Sequence, residues 1–127
     1  MVVIPPAVRS AIAEHAREEL PNESCGLVLF DGDTAVRYVR GINRSKSPYR
    51  FELFIDPAEW ADIEHDQAVV HSHVSSPPRP SRTDVENIGL WEGKPYLIYC
   101  VKDDDLAAWT IADGEISSLA LADRSSP

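Results

Sequence analysis

The sequence predicts one domain of α+β (mixed α/β) class, with a sheet flanked by helices. Two observations predict this class. Segments with helical spacing or helix-start signals alternate with short apolar runs, and glycine- and aspartate-bearing turns separate many of these runs. The length of 127 residues fits one domain over 1–127, and a hydrophobic content of 43% suffices for a packed core.

The N-terminal third predicts a helix followed by a β-hairpin. Pro5-Pro6 precedes apolar positions at helical spacing, and Pro21 ends the pattern. The apolar run 25–30, the turn 31–33 and the run 36–39 predict two paired strands. The helix positions that share one face are Val8, Ala11, Ile12, His15 and Ala16.

The middle of the chain predicts a loop, a strand and a second helix. The loop over 43–50 is polar and basic, and the strand covers 51–55. A helix over 56–66 is indicated by Pro57 at its first position and by Glu59, which can complete a capping box.

The remaining sequence predicts a buried strand, a stiff loop, a third helix and three C-terminal strands. The strand covers 68–74, the loop over 75–80 holds three prolines, and the helix runs from 81 to about 91. The C-terminal strands are predicted over 96–101, 107–111 and 116–122, with aspartate-rich turns between them.

Charge and cysteine content exclude several classes of protein. A net charge of -9 argues against a nucleic-acid coat protein or a polybasic membrane binder. The apolar runs are shorter than the roughly 20 residues that span a bilayer. Because no secretory signal is visible and only Cys25 and Cys100 are present, we expect a cytoplasmic protein with reduced thiols. A secreted form whose signal has been removed stays open as an alternative.

The segment that indicates chemistry begins with two histidines. Positions 71 and 73 point to the same face of a strand, so the sequence predicts two adjacent imidazoles. Two imidazoles and a carboxylate suit Zn²⁺ and leave a fourth position for water; Asp84 can supply that carboxylate. Two simpler interpretations stay open: His71 and His73 as a solvent-facing pair, and Ser81-x-x-Asp84 as an ordinary capping box.

The spacing of these residues resembles a known motif. H-S-H at 71–73, seven residues, and then S-R-T-D at 81–84 match the H-x-H-x(7)-S-x-x-D motif of the JAMM (MPN-plus, Mov34/MPN/PAD-1) zinc metalloproteases. Glu23 opens an E-S-C-G sequence that resembles the E-x-C-G of the short prokaryotic members. The resemblance covers roughly 8–101 and implies a central, mostly antiparallel sheet flanked by helices, the cytidine-deaminase-like JAMM/MPN architecture.

The resemblance also implies a role for each motif residue. His71, His73 and Asp84 would bind zinc, which lowers the pKa of a bound water toward about 7. Glu23 would take the proton of that water and deliver it to the leaving amine. Ser81 would stabilise the tetrahedral oxyanion, although helix capping competes for its hydroxyl.

The implied activity is hydrolysis of a peptide or isopeptide bond by a zinc metallopeptidase. The implied substrate is the C-terminal tail of a ubiquitin-like protein of the sulfur-carrier type, or a peptide. Two alternatives stay open: a non-catalytic MPN-type interaction module, and a RadC-like DNA-processing accessory, which the net charge disfavours. We therefore expect no nucleic-acid or membrane partner, and the sequence leaves the oligomeric state undetermined.

Three further side chains, those of Cys25, His15 and His65, are of types that can bind a metal or act as a nucleophile. Cys25 lies two residues after Glu23, so a sulfur ligand or a nucleophile is conceivable, but the apolar strand that it begins favours a buried structural thiol. His15 and His65 have no ligand spacing, and we expect them to be structural or solvated.

Overall fold

Most of the predicted elements fall within the part of the chain that the structure describes. The computed structural model describes residues 1–45, 53–55 and 66–122. The predicted helix over 56–66 lies outside these residues, apart from Asp66, which begins a strand. Much of the predicted loop and the first two residues of the predicted strand before that helix also lie outside them.

The described elements follow the chain in an alternating order. They are β1 (Val2–Val3), α1 (Pro6–Glu18), β2 (Cys25–Asp31), β3 (Thr34–Arg40), β4 (Ile42–Asn43), β5 (Leu53–Phe54), β6 (Asp66–His73), α2 (Arg82–Glu86), a 3-10 turn (Gly89–Trp91), β7 (Tyr96–Cys100), β8 (Asp105–Ala112), β9 (Glu115–Leu119) and β10 (Leu121–Ala122). No described helix has the length and apolar character needed to cross a membrane.

One mixed sheet organises the domain. Its strand order is β10-β1-β3-β2-β6-β7-β8-β9, and β4 pairs with β5 in a separate two-stranded sheet. The long strands pair antiparallel except for β6 and β7, which run parallel. The short strand β1 is parallel to both of its neighbours. The predicted mixed α/β class with a mostly antiparallel sheet is confirmed.

Helix α1 covers one face of this sheet. It begins at Pro6, where the fixed φ of proline suits the first turn, and its buried side chains are Val8, Ile12, Ala13, His15 and Ala16. The apolar ones among them pack with Val28, Val70 and Tyr99 in one core cluster. The opposite face carries Leu27 and Val69 in two further clusters. The predicted apolar face is therefore the buried one, with Ala13 in place of the half-buried Ala11.

The predicted hairpin is present as β2 and β3. Gly32 occupies its turn at a φ of +61, a conformation that glycine adopts without strain. Gly26 allows a close approach of β3, because a Cβ there would lie 2.5 Å from the Val39 carbonyl oxygen and 2.6 Å from Tyr38. Since Tyr38 contacts His15 of α1, this approach is on the α1 face of the sheet and not at the histidine pair.

The C-terminal half differs from prediction in two places. The third helix was predicted to reach residue 91 but ends at Glu86, because Asn87 leaves the helical conformation and Gly89 has a φ of +51. The predicted strand over 116–122 is divided at Ala120, since its last residues turn to pair with β1. Strand β1 itself was not predicted.

Candidate metal centre

The ends of two neighbouring strands bring the motif residues together. Cys25, the first residue of β2, lies opposite His71 of β6 in the sheet. Ser24 donates its N–H to the Ser72 hydroxyl at 2.7 Å, and Ser72 returns its own N–H to the Ser24 carbonyl at 3.0 Å. These bonds fix the chain just before β2, so that Glu23 lies beside the histidine strand.

The two histidines lie side by side on the face of the sheet opposite α1. Their ring centroids are 5.0 Å apart, and they follow Val69 at alternate positions of β6. The side chain of His71 is fully buried and that of His73 is 8% exposed, so a solvent-facing pair is not what the structure shows. The period of two on a strand therefore produces the predicted adjacency.

Two carboxylates complete the cluster from opposite sides. Glu23 Oε1 lies 3.3 Å from His71 Nδ1. Asp84 Oδ1 lies 3.3 Å from His71 Nε2, and Asp84 Oδ2 lies 3.5 Å from His73 Nε2. Both carboxylates are buried, at 4% exposure for Glu23 and 6% for Asp84. All four side chains thus meet with little access to water.

The electrostatics of the cluster follow from this burial. Burial alone lowers the pKa of His71, but the carboxylates of Asp84 and Glu23 outweigh it and raise that pKa to about 9. Burial also raises the pKa of Asp84, but contacts with both imidazoles and the Ser81 N–H hold it well below the usual range. Positive charge is therefore favoured between these carboxylates.

The donor set fits a metal ion. Ligand atoms of Glu23, His71 and His73 all lie within 4.8 Å of one another, and Asp84 contacts both imidazoles. Glu23 Oε1 is buried, and apart from its 3.3 Å approach to His71 Nδ1 it has no hydrogen-bond partner within the described part of the chain. A cation or a water that approaches this buried carboxylate oxygen would therefore stabilise it.

Asp84 is positioned by the start of α2. The Asp84 N–H donates to Ser81 Oγ at 3.1 Å, and the Ser81 N–H donates to Asp84 Oδ2 at 2.8 Å. These two bonds form the capping box that was the simpler interpretation of the Ser-Asp spacing. They do not exclude a second role for Ser81, because its oxygen only accepts here and its O–H can still donate.

The orientation of His73 is set by a loop carbonyl. His73 Nδ1 lies 2.8 Å from the Pro77 carbonyl oxygen, which can only accept, so Nδ1 carries the hydrogen and donates it. In the neutral ring this leaves the Nε2 lone pair directed toward Asp84 and the centre of the cluster.

Tyr96 also contributes to the cluster, although no motif in the sequence indicates it. Its hydroxyl donates to Asp84 Oδ1 at 3.3 Å, and its ring meets His71 edge-on with centroids 5.4 Å apart. Burial and the nearby Asp84 raise the pKa of Tyr96, so it stays a neutral donor. No residue spacing in the sequence indicates this contact, because the contact depends on the parallel register that pairs Tyr96 with Val69.

The other side chains considered for chemistry lie outside the cluster. Cys25 is 1% exposed, and burial together with Glu19 and Glu23 raises the pKa of its thiol to about 12, so it stays protonated at neutral pH. His15 lies on the α1 face, where its Nδ1 is 2.6 Å from the Tyr38 hydroxyl. His65 lies outside the described residues.

A cleft of about 640 Å³ opens onto the cluster. Its lining includes Glu23, His73, Ser81 and the proline-rich loop after β6. This volume lies in the range of clefts that bind small molecules or short peptide segments.

Comparison with known proteins gives consistent matches over most of the chain. A profile of the Prok-JAB family, described as prokaryotic homologs of the JAB domain, matches residues 5–112. A desampylase from Haloferax volcanii is 33% identical over 127 residues, which cover 90% of this chain and 90% of the relative. A CysO-cysteine peptidase from Mycobacterium tuberculosis is 27% identical over 128 residues, which cover 92% of this chain and 87% of the relative.

A solved structure supports the same grouping at the level of the fold. A JAB1/MPN domain protein from Archaeoglobus fulgidus matches with a TM-score of 0.60 at 22% sequence identity. The match covers 97% of this chain and 100% of that protein's chain. The fold of this chain is therefore shared with that protein.

Proposed function

Because the chain belongs to the Prok-JAB family of prokaryotic homologs of the JAB domain, we propose that it is a zinc-dependent metallopeptidase of the JAMM type. The family membership confirms the short prokaryotic JAMM/MPN type that the motif predicted. The observation that carries the proposal is the buried cluster in which Glu23, His71 and His73 present ligand atoms within 4.8 Å of one another. Asp84, in contact with both imidazoles, adds a second carboxylate.

In this proposal His71, His73 and Asp84 hold zinc, and Glu23 stays free of it. Imidazole and carboxylate ligands with one open position are typical of catalytic zinc sites. When bound, zinc supplies Lewis acidity that lowers the pKa of water from about 15.7 toward about 7. The hydrogen bonds from Tyr96 and the Ser81 backbone hold the Asp84 carboxylate in place for this role.

Glu23 moves the proton. Its Oε1 accepts a proton from the attacking water and passes it to the nitrogen of the scissile amide, so that the amine leaves neutral. The Asn43 side-chain amide donates to the Glu23 backbone carbonyl at 2.8 Å, which helps to hold the residue at the edge of the cleft. Ser81 donates its O–H to the oxygen of the tetrahedral intermediate while its lone pair keeps the cap.

The proposed substrate is the C-terminal tail of a ubiquitin-like protein of the sulfur-carrier type, cut at a peptide or isopeptide bond. The relatives support this substrate class, since one is a desampylase and another is a CysO-cysteine peptidase. The size of the cleft supports an extended tail as the group that enters it.

The test combines metal analysis with an activity screen on a tail-extended carrier protein. Purified protein should hold one zinc and cleave the tail. Glu23→Gln should keep the zinc and lose about 10²- to 10⁴-fold in kcat, because it removes the proton acceptor. Glu14→Gln, which changes an exposed carboxylate on α1, is the matched control and should behave as wild type.

Two results would contradict the proposal. Full activity in Glu23→Gln would refute the role of this carboxylate. Absence of stoichiometric zinc after metal-replete purification would refute the metallopeptidase and favour the non-catalytic interaction module instead.

A further inference from the structure

A single arginine stands at the wall of the cleft that opens onto the cluster. Arg79 is exposed and lines the same cleft as Glu23, His73 and Ser81. Apart from the histidine, it is the only basic side chain in the described lining. It forms no ion pair with any residue of the described ranges, so its guanidinium is available to a ligand.

Contacts with Trp109 hold this arginine near the cluster. The guanidinium carbon lies 5.5 Å from the centroid of the indole ring, a cation–π distance. The indole is itself tied to the loop, because Trp109 Nε1 donates to the Pro78 carbonyl oxygen at 2.8 Å. The proline-rich loop and the tryptophan thus restrict the positions that Arg79 can reach.

The sheet register places Trp109 next to Tyr96, whose hydroxyl bonds to Asp84. Trp109 of β8 lies directly opposite Tyr96 of β7, and both side chains pack in the same core cluster. Directly opposed side chains in an antiparallel pair are about 4.5–5.5 Å apart at Cβ. Since the Tyr96 hydroxyl bonds to Asp84, contacts link Arg79 through Trp109 and Tyr96 to the cluster.

We propose that Arg79 is a specificity-determining residue that binds a carboxylate of the substrate. A guanidinium matches the planar geometry of a carboxylate with two parallel hydrogen bonds. In a protein of net charge -9, one unpaired cation facing the cleft favours an anionic group on the substrate. This inference rests on the proposed peptidase function.

One source of such a carboxylate is the α-carboxylate of a single C-terminal amino acid that is the leaving group. In such a substrate the carboxylate carbon is two bonds from the scissile nitrogen. A group that binds it must therefore stand at the wall of the same cleft, as Arg79 does. An acidic side chain within the carrier tail has the same chemistry and is the second source to be distinguished.

The test compares matched peptides with the full-length zinc-loaded protein. One peptide carries a tail ending in Gly-Gly plus one amino acid with a free carboxylate, and the second has that carboxylate amidated. A third has the free carboxylate and an acidic residue inside the tail, and a fourth is the amidated form of the third. Arg79→Gln should raise KM for the free-carboxylate peptide about 10- to 100-fold with kcat within about twofold. The second peptide, which is amidated and lacks the acidic residue, should be cleaved equally by wild type and Arg79→Gln. The KM of Arg79→Lys for the free-carboxylate peptide should lie between those of wild type and Arg79→Gln.

Two controls separate recognition from damage to the fold. Arg82→Gln changes an arginine three residues along that pairs with Glu86 and whose side chain is 93% exposed, so it should leave all peptides unaffected. Binding of the free-carboxylate peptide to Glu23→Gln, measured by calorimetry, should weaken when Arg79→Gln is added, independently of turnover.

Each possible outcome of this test either supports or contradicts the inference. Equal losses on the first and second peptides, which lack the acidic residue, or no loss on any peptide, would overturn the inference. A loss that follows the acidic side chain in the tail supports carboxylate binding and assigns it to that second source. If zinc-loaded wild type cleaves neither these peptides nor the tail-extended carrier protein, the proposed function fails and this inference fails with it. If wild type cleaves them but Arg79→Gln has no effect, only the inference fails.

Discussion

If the cluster holds zinc as proposed, the hydroxyl of Tyr96 should govern how tightly it binds the ion. Tyr96→Phe removes one oxygen and keeps the ring that packs edge-on against His71. The lost bond is the 3.3 Å contact from the hydroxyl to Asp84 Oδ1 in a fully buried place. Because a hydrogen bond to a charged group contributes about 1.5–3 kcal/mol, the variant should bind zinc about 10- to 100-fold more weakly.

The assay is a competition titration of zinc between the protein and a coloured chelator, with thermal unfolding of the metal-free protein recorded in parallel. Tyr99→Phe is the matched control. It lies on the same strand but faces α1, and its hydroxyl bonds to Asp104 away from the cluster. We expect Tyr99→Phe to leave zinc affinity unchanged.

Refutation would take a simple form. If Tyr96→Phe binds zinc within twofold of wild type while the unfolding temperature of the metal-free protein is unchanged, the hydroxyl has no positioning role. If both tyrosine variants weaken zinc binding equally, the effect is one of general stability and not of the contact with Asp84.

Two more perturbations follow from the structure. Ser81→Ala removes the acceptor for the Asp84 N–H, so the free energy of unfolding in urea should fall by about 1 kcal/mol. Ser81→Thr should recover most of this loss. Equal stability of Ser81→Ala and wild type would contradict the capping role of Ser81. Burial and the nearby Arg40 lower the pKa of His15 below 6.5, so the unfolded chain binds its proton more readily than the folded chain does. The stability contributed by neutral His15 is therefore complete above about pH 6.5 and is lost as the pH falls toward the lower folded pKa. His15→Asn should unfold with a weaker dependence on pH between 7.5 and 5, and an unchanged dependence would show that another group titrates.

Local patterns predicted much of the fold for physical reasons that are visible in the structure. Helix α1 and the β2–β3 hairpin depend on contacts between residues close in sequence, so their periodicity and turn residues are sufficient signals. The predicted third helix is too long, because its apolar spacing continues to Trp91. The positive φ of Gly89, which interrupts the helix, is not visible in that pattern. Strand β1 has two residues and is held by distant partners, so no local signal exists for it.

In the candidate site, too, local motifs predict some residues, while others depend on strands that are distant in sequence. The motif spacing led to His71, His73, Ser81 and Asp84, and the resemblance of the E-S-C-G sequence led to Glu23; the structure brings all five together. Tyr96 and Trp109 could not be found in this way, because their places beside the site depend on the registers of β6, β7 and β8. Registers between strands far apart in sequence are set by the packed sheet as a whole.

The parallel pairing of β6 and β7 has a consequence for how such a domain can change. Parallel neighbours need a long crossover in place of a tight turn, and here that crossover spans residues 74–95. It leaves the sheet at the histidine strand, forms one wall of the cleft, contributes Ser81 and Asp84, and returns at Tyr96. The loop part of it, residues 74–80, takes part in no strand pairing, but its Pro77 carbonyl orients His73. Substitutions in this segment can therefore change which groups the cleft accepts while the strand pairing stays the same, provided that the Pro77 carbonyl keeps its place.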